Sequence, residues 1–263
     1  HDYGVETWTD SSWQVFGAAN VWAPMTVDSA KNYIYLPVST ASNDFYGGDR
    51  KGDNLFSDSI VCLDATTGVR IWHFQLVHHG LWDYDPPAAP LLININNGKN
   101  DIPAVVVLSK QGYIYCFNRY TGDPIWPIVE IESPNSDIPG EHISPTQPHP
   151  TWPRPIDRQG LSLTDVVDFT PEIRKKAIDL ISNYRFGPLY TPPSEQGTIL
   201  VPGLLGGSDW AGASWDHDNA LLYVPSRTLP FLIRLNQHGP LKNGTFSAEV
   251  QEGISLPNGI PIT

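Results

Sequence analysis

Two turns of this chain follow one template, and nothing else in the sequence narrows the possible folds as much. Asp64-Ala65-Thr66-Thr67-Gly68-Val69-Arg70-Ile71-Trp72 and Asn118-Arg119-Tyr120-Thr121-Gly122-Asp123-Pro124-Ile125-Trp126 both read Asp/Asn-x-x-Thr-Gly-x-x-x-Trp, with their glycines 54 residues apart. A hairpin turn needs glycine where φ is positive, and a tryptophan at a set distance beyond it can wedge between neighbouring sheets. A second pair, Trp22 to Pro37 and Trp210 to Pro225, shares Trp-x5-Asp-x8-Pro, with Tyr33-Ile34-Tyr35 and Leu221-Leu222-Tyr223 in matching places. Short β-type runs separated by turn residues recur between these markers, for example Ser59-Ile60-Val61-Cys62-Leu63 and Ala104-Val105-Val106-Val107-Leu108. A repeat of about 40 to 50 residues with four strands and a placed tryptophan is the pattern of a propeller blade. The expectation is an all-β chain, a partial β-propeller of four-stranded antiparallel blades forming one domain over residues 1–263.

Composition agrees. Glycine (22) and proline (25) are plentiful and charged residues reach only 17%, which favours strands and turns over helices. A net charge of −12 with scattered Lys and Arg argues against a nucleic-acid partner, since phosphate binding needs clustered cations. Cys62 and Cys116 lie in β-type runs and read as free core thiols rather than a disulfide. The chain starts at His1-Asp2-Tyr3-Gly4 and stops in Pro261-Ile262-Thr263, which reads as an interior piece of a longer protein.

Residues 129–185 break the pattern. Seven prolines between Pro134 and Pro155 make regular sheet unexpected there, and an ordered surface excursion is the reading. Within it Thr170 caps a helix that begins at Pro171, with Ile173, Ala177 and Leu180 on its apolar face. The Asn243-Gly244-Thr245 sequon reads as accidental if the source is bacterial.

The chemistry concentrates in Val77-His78-His79-Gly80-Leu81-Trp82-Asp83-Tyr84-Asp85 and in Lys110 at the end of a later strand. Carboxylates two residues apart face one way on a strand, while Pro86 and Pro87 argue for a loop, where catalytic groups commonly sit. The alternative is a polar turn in which Trp82 is core and the charges are structural.

Further motifs point to a family. Asn20-Val21-Trp22-Ala23-Pro24-Met25, Asn43 to Phe56, Trp72-His73-Phe74-Gln75 with Val77-His78-His79, Trp82-Asp83-Tyr84-Asp85, Lys110-Gln111-Gly112 and Ser144-Pro145-Thr146-Gln147-Pro148 together resemble the quinoprotein glucose dehydrogenases. These are dehydrogenases of the pyrroloquinoline quinone (PQQ) class, and the resemblance runs from about Trp8 to about Leu235. It implies an eight-bladed periplasmic propeller holding PQQ beside Ca²⁺ or Mg²⁺, of which this chain would be about half.

On that resemblance Asp83 is the base that takes the proton of an aldose or other alcohol and also touches the ion. Lys110 hydrogen-bonds the quinone oxygens, Trp22 is the floor beneath the flat ring, and Thr40 offers the metal an oxygen. Electrons would pass to a respiratory quinone, and any membrane attachment would come from a segment not in this chain. His78 and His79 are supports of the loop rather than ligands. Two positions depart from the family: Gly80 replaces the usual Asp, and Asp209 replaces the Asn that would bond the quinone. A carboxylate at 209 would repel an anionic ring unless protonated or paired. The rival readings are a non-catalytic propeller that binds proteins or glycans and an inactive truncated homologue.

Overall fold

The computed structural model describes residues 3–96, 98, 100–238 and 246–263; the Asn243 sequon lies outside them. After two short 3₁₀ turns at Val5–Thr7 and Thr9–Gln14 the chain is a succession of antiparallel sheets. The first contains β1 (Thr26–Asp28), β2 (Tyr33–Val38), β3 (Ser59–Asp64) and β4 (Arg70–Gln75), ordered β1-β2-β3-β4. The second holds β5 (Leu91–Asn96), β6 (Asp101–Leu108) and β7 (Ile114–Asn118) in sequence order. A two-stranded ribbon, β8 (Ile128–Glu132) with β9 (Thr146–Pro150), and helix α1 (Pro171–Ile181) follow. After β10 (Thr198–Leu200) comes a second ribbon of β11 (Ser214–Asp216) and β12 (Leu221–Tyr223), then β13 (Phe231–Gln237) and β14 (Phe246–Glu252), which join β10 in the order β10-β13-β14. The expected four strands are present in the first sheet, and the remaining sheets carry two or three.

Both repeats exist in space. Asp64 Oδ1 accepts the N–H groups of Thr66 and Thr67 at 2.9 and 2.8 Å, and Asn118 Oδ1 accepts those of Tyr120 and Thr121 at 3.0 and 3.4 Å. Gly68 and Gly122 close these turns at φ +72° and +78°, the left-handed region glycine enters without steric cost. Trp72 is the wedge: it donates Nε1–H to Arg119 O at 3.0 Å and lies against Gly122 of the next sheet. In the second repeat Thr26 pairs with Tyr35 and Asp28 with Tyr33, as Ser214 pairs with Tyr223 and Asp216 with Leu221.

The proline-rich region corrects one expectation, because β8 and β9 form regular sheet. Pro148 and Pro150 stand opposite Glu130 and Ile128, and in a two-stranded ribbon each strand is an edge, so a backbone nitrogen without a hydrogen can point away from the partner strand. Helix α1 forms as expected, with Thr170 Oγ1 accepting from Ile173 N at 3.2 Å. Ala177 and Ile181 are buried, and Ile173 and Leu180 pack partly against the same cluster with Leu232 and Ile254. The largest core cluster joins Tyr35, Ile60 and Trp72 of the first sheet to Tyr115 and Phe117 of the second and Phe231 and Ile233 of the last. Cys62 and Cys116 are free and buried. Among the described residues no helix is long and apolar enough to cross a membrane.

Candidate functional site

Thr40 follows β2, Asp58 immediately precedes β3, and the loop carrying His78 to Asp85 follows β4. Antiparallel pairing sets the end of one strand beside the start of the next, so all three leave one end of the first sheet. The β6–β7 turn meets them from the second sheet. There Lys110 donates its backbone N–H to Asp85 O at 3.1 Å, which ties the turn to the loop before any charge is counted.

The side chains complete the junction. Lys110 Nζ donates to Asp83 Oδ2 and to Asp85 Oδ2, each at 2.9 Å. Asp83 is the most open of the three, with 21% of its side chain exposed against 8% for Lys110 and 5% for Asp85, so it is the carboxylate a small molecule can reach. Burial pushes the Asp83 carboxyl up to about 7, with Lys110 opposing the rise and Asp85 adding to it. Burial pulls Lys110 down, but the two carboxylates outweigh it and hold the ammonium above its ordinary value. A lysine held between two acids keeps its proton.

Backbone strain is gathered here. Asp83, His79 and Asp58 adopt φ of +56°, +48° and +49°, a region few residues other than glycine enter and in which Asn, Asp and His are enriched. Such conformations persist where the surroundings over-determine them. His79, 1% exposed, bonds Gly52 O through Nδ1 at 2.7 Å and Glu141 Oε1 through Nε2 at 2.9 Å. Gln147 accepts from His78 N at 2.8 Å and donates to His78 O at 2.7 Å. The two histidines are thus supports of the loop, and the proline-rich excursion supplies the groups that brace it.

Trp22 is 49% exposed, with Nε1 donating to Asp85 Oδ2 at 3.3 Å and its ring centroid 5.9 Å from Lys110 Nζ. A half-open aromatic ring beside a buried ammonium suits a flat anionic ligand, so these residues fit the quinone. They do not by themselves complete an ion site. Thr40 is buried, donating its N–H to Asp85 Oδ1 at 2.6 Å and its hydroxyl to Asp58 Oδ2 at 3.1 Å. Asp83 Oδ2 and Asp85 Oδ2 are both engaged by Lys110, and among the described residues no group of three His, Cys, Asp or Glu side chains is arranged to hold a metal.

Asp209 sits on a loop that meets the Lys110 turn through Gly207 N to Lys110 O at 2.9 Å. Its Oδ2 accepts from Arg227 at 3.0 Å, so the carboxylate is paired, and its charge is offset where an unpaired one would repel an anionic ring. The structure therefore draws Asp83, Lys110 and Trp22 together, links Thr40 to them through Asp85, and sets Asp209 at the neighbouring edge.

Sequence reasoning missed two residues, Asp58 and Glu141, and assigned no role to a third, Asp85. Asp85 bonds Lys110, Trp22 and Thr40 at once, and its i,i+2 spacing from Asp83 was the available signal. Asp58 and Glu141 had none, since each becomes part of the site only through contacts with distant loops.

The model of the PQQ glucose/ethanol/alcohol dehydrogenase β-propeller domain matches residues 1–259. Among curated relatives, a probable quinate dehydrogenase (quinone) of Xanthomonas campestris pv. juglandis is 38% identical over 82% of this chain and 28% of its own length. The quinoprotein glucose dehydrogenase of Escherichia coli K12 is 33% identical over 86% of this chain and 28% of its own. The chain thus spans less than a third of these relatives. A quinohemoprotein alcohol dehydrogenase from Pseudomonas putida HK5 superimposes with a TM-score of 0.61 over 91% of this chain and 30% of its own, at 20% identity. That likeness identifies the fold.

Proposed function

We propose, given that this chain belongs to the PQQ glucose/ethanol/alcohol dehydrogenase β-propeller family, that it supplies the base and the quinone-binding cation of a sugar or alcohol dehydrogenase. The observation that carries the reading is Asp83 joined to Lys110 at 2.9 Å beside the half-exposed Trp22. Asp83, reachable and in its deprotonated form, accepts the hydroxyl proton of the substrate. Lys110 stays charged between its carboxylates and would hold a bound quinone by donating to its oxygens, stabilising negative charge there. Trp22 would supply a flat apolar surface, and Arg227 offsets the charge of Asp209. The quinone, when bound, supplies the carbon that accepts hydride. Asp83 and Thr40 are the oxygen donors this chain would offer a Ca²⁺ or Mg²⁺ ion, with the remaining ligands coming from outside these residues.

Relatives named for glucose, quinate and glycerol point to a polyhydroxylated substrate, an aldose or a related alcohol. The word "quinone" in the quinate enzyme's name supports a respiratory quinone as electron acceptor, and the periplasm is the compartment in which this chemistry is proposed to run. The test loads full-length protein with PQQ and calcium and follows dye reduction with a panel of sugars and alcohols. Reduction with at least one polyol is expected. No reduction, together with no quinone absorbance retained after gel filtration, would favour a scaffold.

A further inference from the structure

A methyl group built on Gly80 would lie 2.5 Å from Asp58 Oδ2, 3.2 Å from Asp58 Cγ and 3.0 Å from Thr40 Oγ1. A Cβ carbon does not approach a carboxylate oxygen that closely, so the volume a residue-80 side chain would claim is taken by Asp58. Gly80 is not among the glycines with positive φ, which makes contact, and not backbone conformation, the reason for glycine. Asp58 has no surface exposure and is fixed on both sides, donating its N–H to Ser39 O at 3.0 Å and accepting Leu76 N at 2.7 Å. Its Oδ2 accepts the Thr40 hydroxyl at 3.1 Å, and its Oδ1 has no hydrogen-bond partner among the described residues. Leaving a buried carboxylate oxygen unmet is costly, so this acid is a poor choice for stability alone. Beyond Thr40 the chain of contacts runs from its N–H to Asp85 Oδ1, and from Asp85 Oδ2 to Lys110 and Trp22.

We propose that residues 58 and 80 are one coupled position. A carboxylate anchored at 58 takes the place of a side chain at 80, and Asp58 acts as a positioning residue that holds Thr40 against Asp85 and so aligns Lys110. The coupling stands on geometry alone; its meaning for quinone binding rests on the function proposed above.

The test is a mutant cycle in the full-length protein. Gly80→Ala is expected to lower the urea midpoint clearly when residue 58 is Asp, and by less than half as much in the Asp58→Ser background. Equal shifts in both backgrounds would overturn the coupled position. Hydrogen exchange at the residue-40 amide reads the positioning role, which a general loss of stability spread over the sheet would not single out. Asp58→Ser is expected to speed it at least tenfold, while Asp58→Asn, which keeps an acceptor for the Thr40 hydroxyl, stays within threefold. Unchanged exchange in Asp58→Ser would overturn the role. If the Asp58→Ser variant does not fold, Thr40→Val removes the same link at nearly constant volume and is expected to give the faster exchange, with unchanged exchange again overturning it. PQQ titration of the unaltered protein separates the two ideas: absence of binding removes the functional reading, while the cycle and the exchange rates still decide this one.

Discussion

At the scale of single residues, charge and burial decide who does what. Asp83 and Asp85 share one lysine, yet Asp85 is spent on Trp22, Thr40 and Lys110, whereas Asp83 keeps an exposed flank. Only the second arrangement leaves a carboxylate oxygen that a substrate hydroxyl can reach. Asp83→Asn keeps the shape and removes the proposed base, so turnover is expected to fall by about 10²–10⁴-fold while quinone absorbance is retained after gel filtration. Unchanged turnover would reject Asp83 as the base. The Asp-x-Asp spacing was visible in the sequence, but the division of labour between its members was not, because it depends on which carboxylate the β6–β7 turn lands on. Asp209 makes the same point: its charge alone is unfavourable for an anionic ring, and Arg227, eighteen positions along, offsets it.

At the scale of elements, the repeated turns and the proline-rich excursion have different tasks. Gly68 and Gly122 share a left-handed conformation, but a Cβ at Gly68 meets open space and one at Gly122 falls 2.7 Å from the Trp72 ring. Gly68→Ala is therefore expected to cost about 1–2 kcal/mol from backbone strain. Gly122→Ala should cost a further 1–3 kcal/mol or so from displacement of the wedge. Urea midpoints of the two variants check the order, and equal losses would show that Trp72 yields freely. In the excursion, burial opposes ionisation of Glu141. The His79 hydrogen bond, with the N–H groups of Gly47 and His142, more than offsets it and holds the carboxyl below its usual 4.5.

A carboxylate lowered in the folded state stabilises above its unfolded value and loses that contribution as pH falls through its folded value. Melting curves of Glu141→Gln and the unaltered protein should then differ most near neutrality and converge as pH drops well below about 4.3. A constant gap would mean that Glu141 braces the loop by shape alone. The periodic turns were legible because each is a local pattern. The β8–β9 ribbon was not, since proline excludes only the hydrogen-bonded side of a strand and the sequence does not say which side is free.

At the scale of the whole molecule, one tryptophan ties the site to a segment more than a hundred residues further along the chain. Trp82 is fully buried, donates Nε1–H to Thr191 O at 3.0 Å and packs against Tyr84 and Tyr190. Tyr84 in turn donates to Pro202 O at 2.7 Å, so the site loop is pinned to the segments before and after β10 from both sides of Asp83. Trp82→Ala should cost about 3–5 kcal/mol, and near-UV circular dichroism should report loosening around the tyrosines of this cluster as well as in the loop. A loss confined to the first sheet would show that the site loop and these segments fold independently. The sequence by itself determined the antiparallel class, the blade markers, the helix and the family, because hydrophobic alternation, turn glycines and caps act over a few residues. Only the tertiary structure decided that Asp85 braces and Asp83 stays open, that Glu141 and Gln147 hold the loop, and that Asp58 stands where a side chain at 80 would go. Those outcomes come from groups far apart in the chain competing for one buried volume and one cation, and no local pattern records who wins.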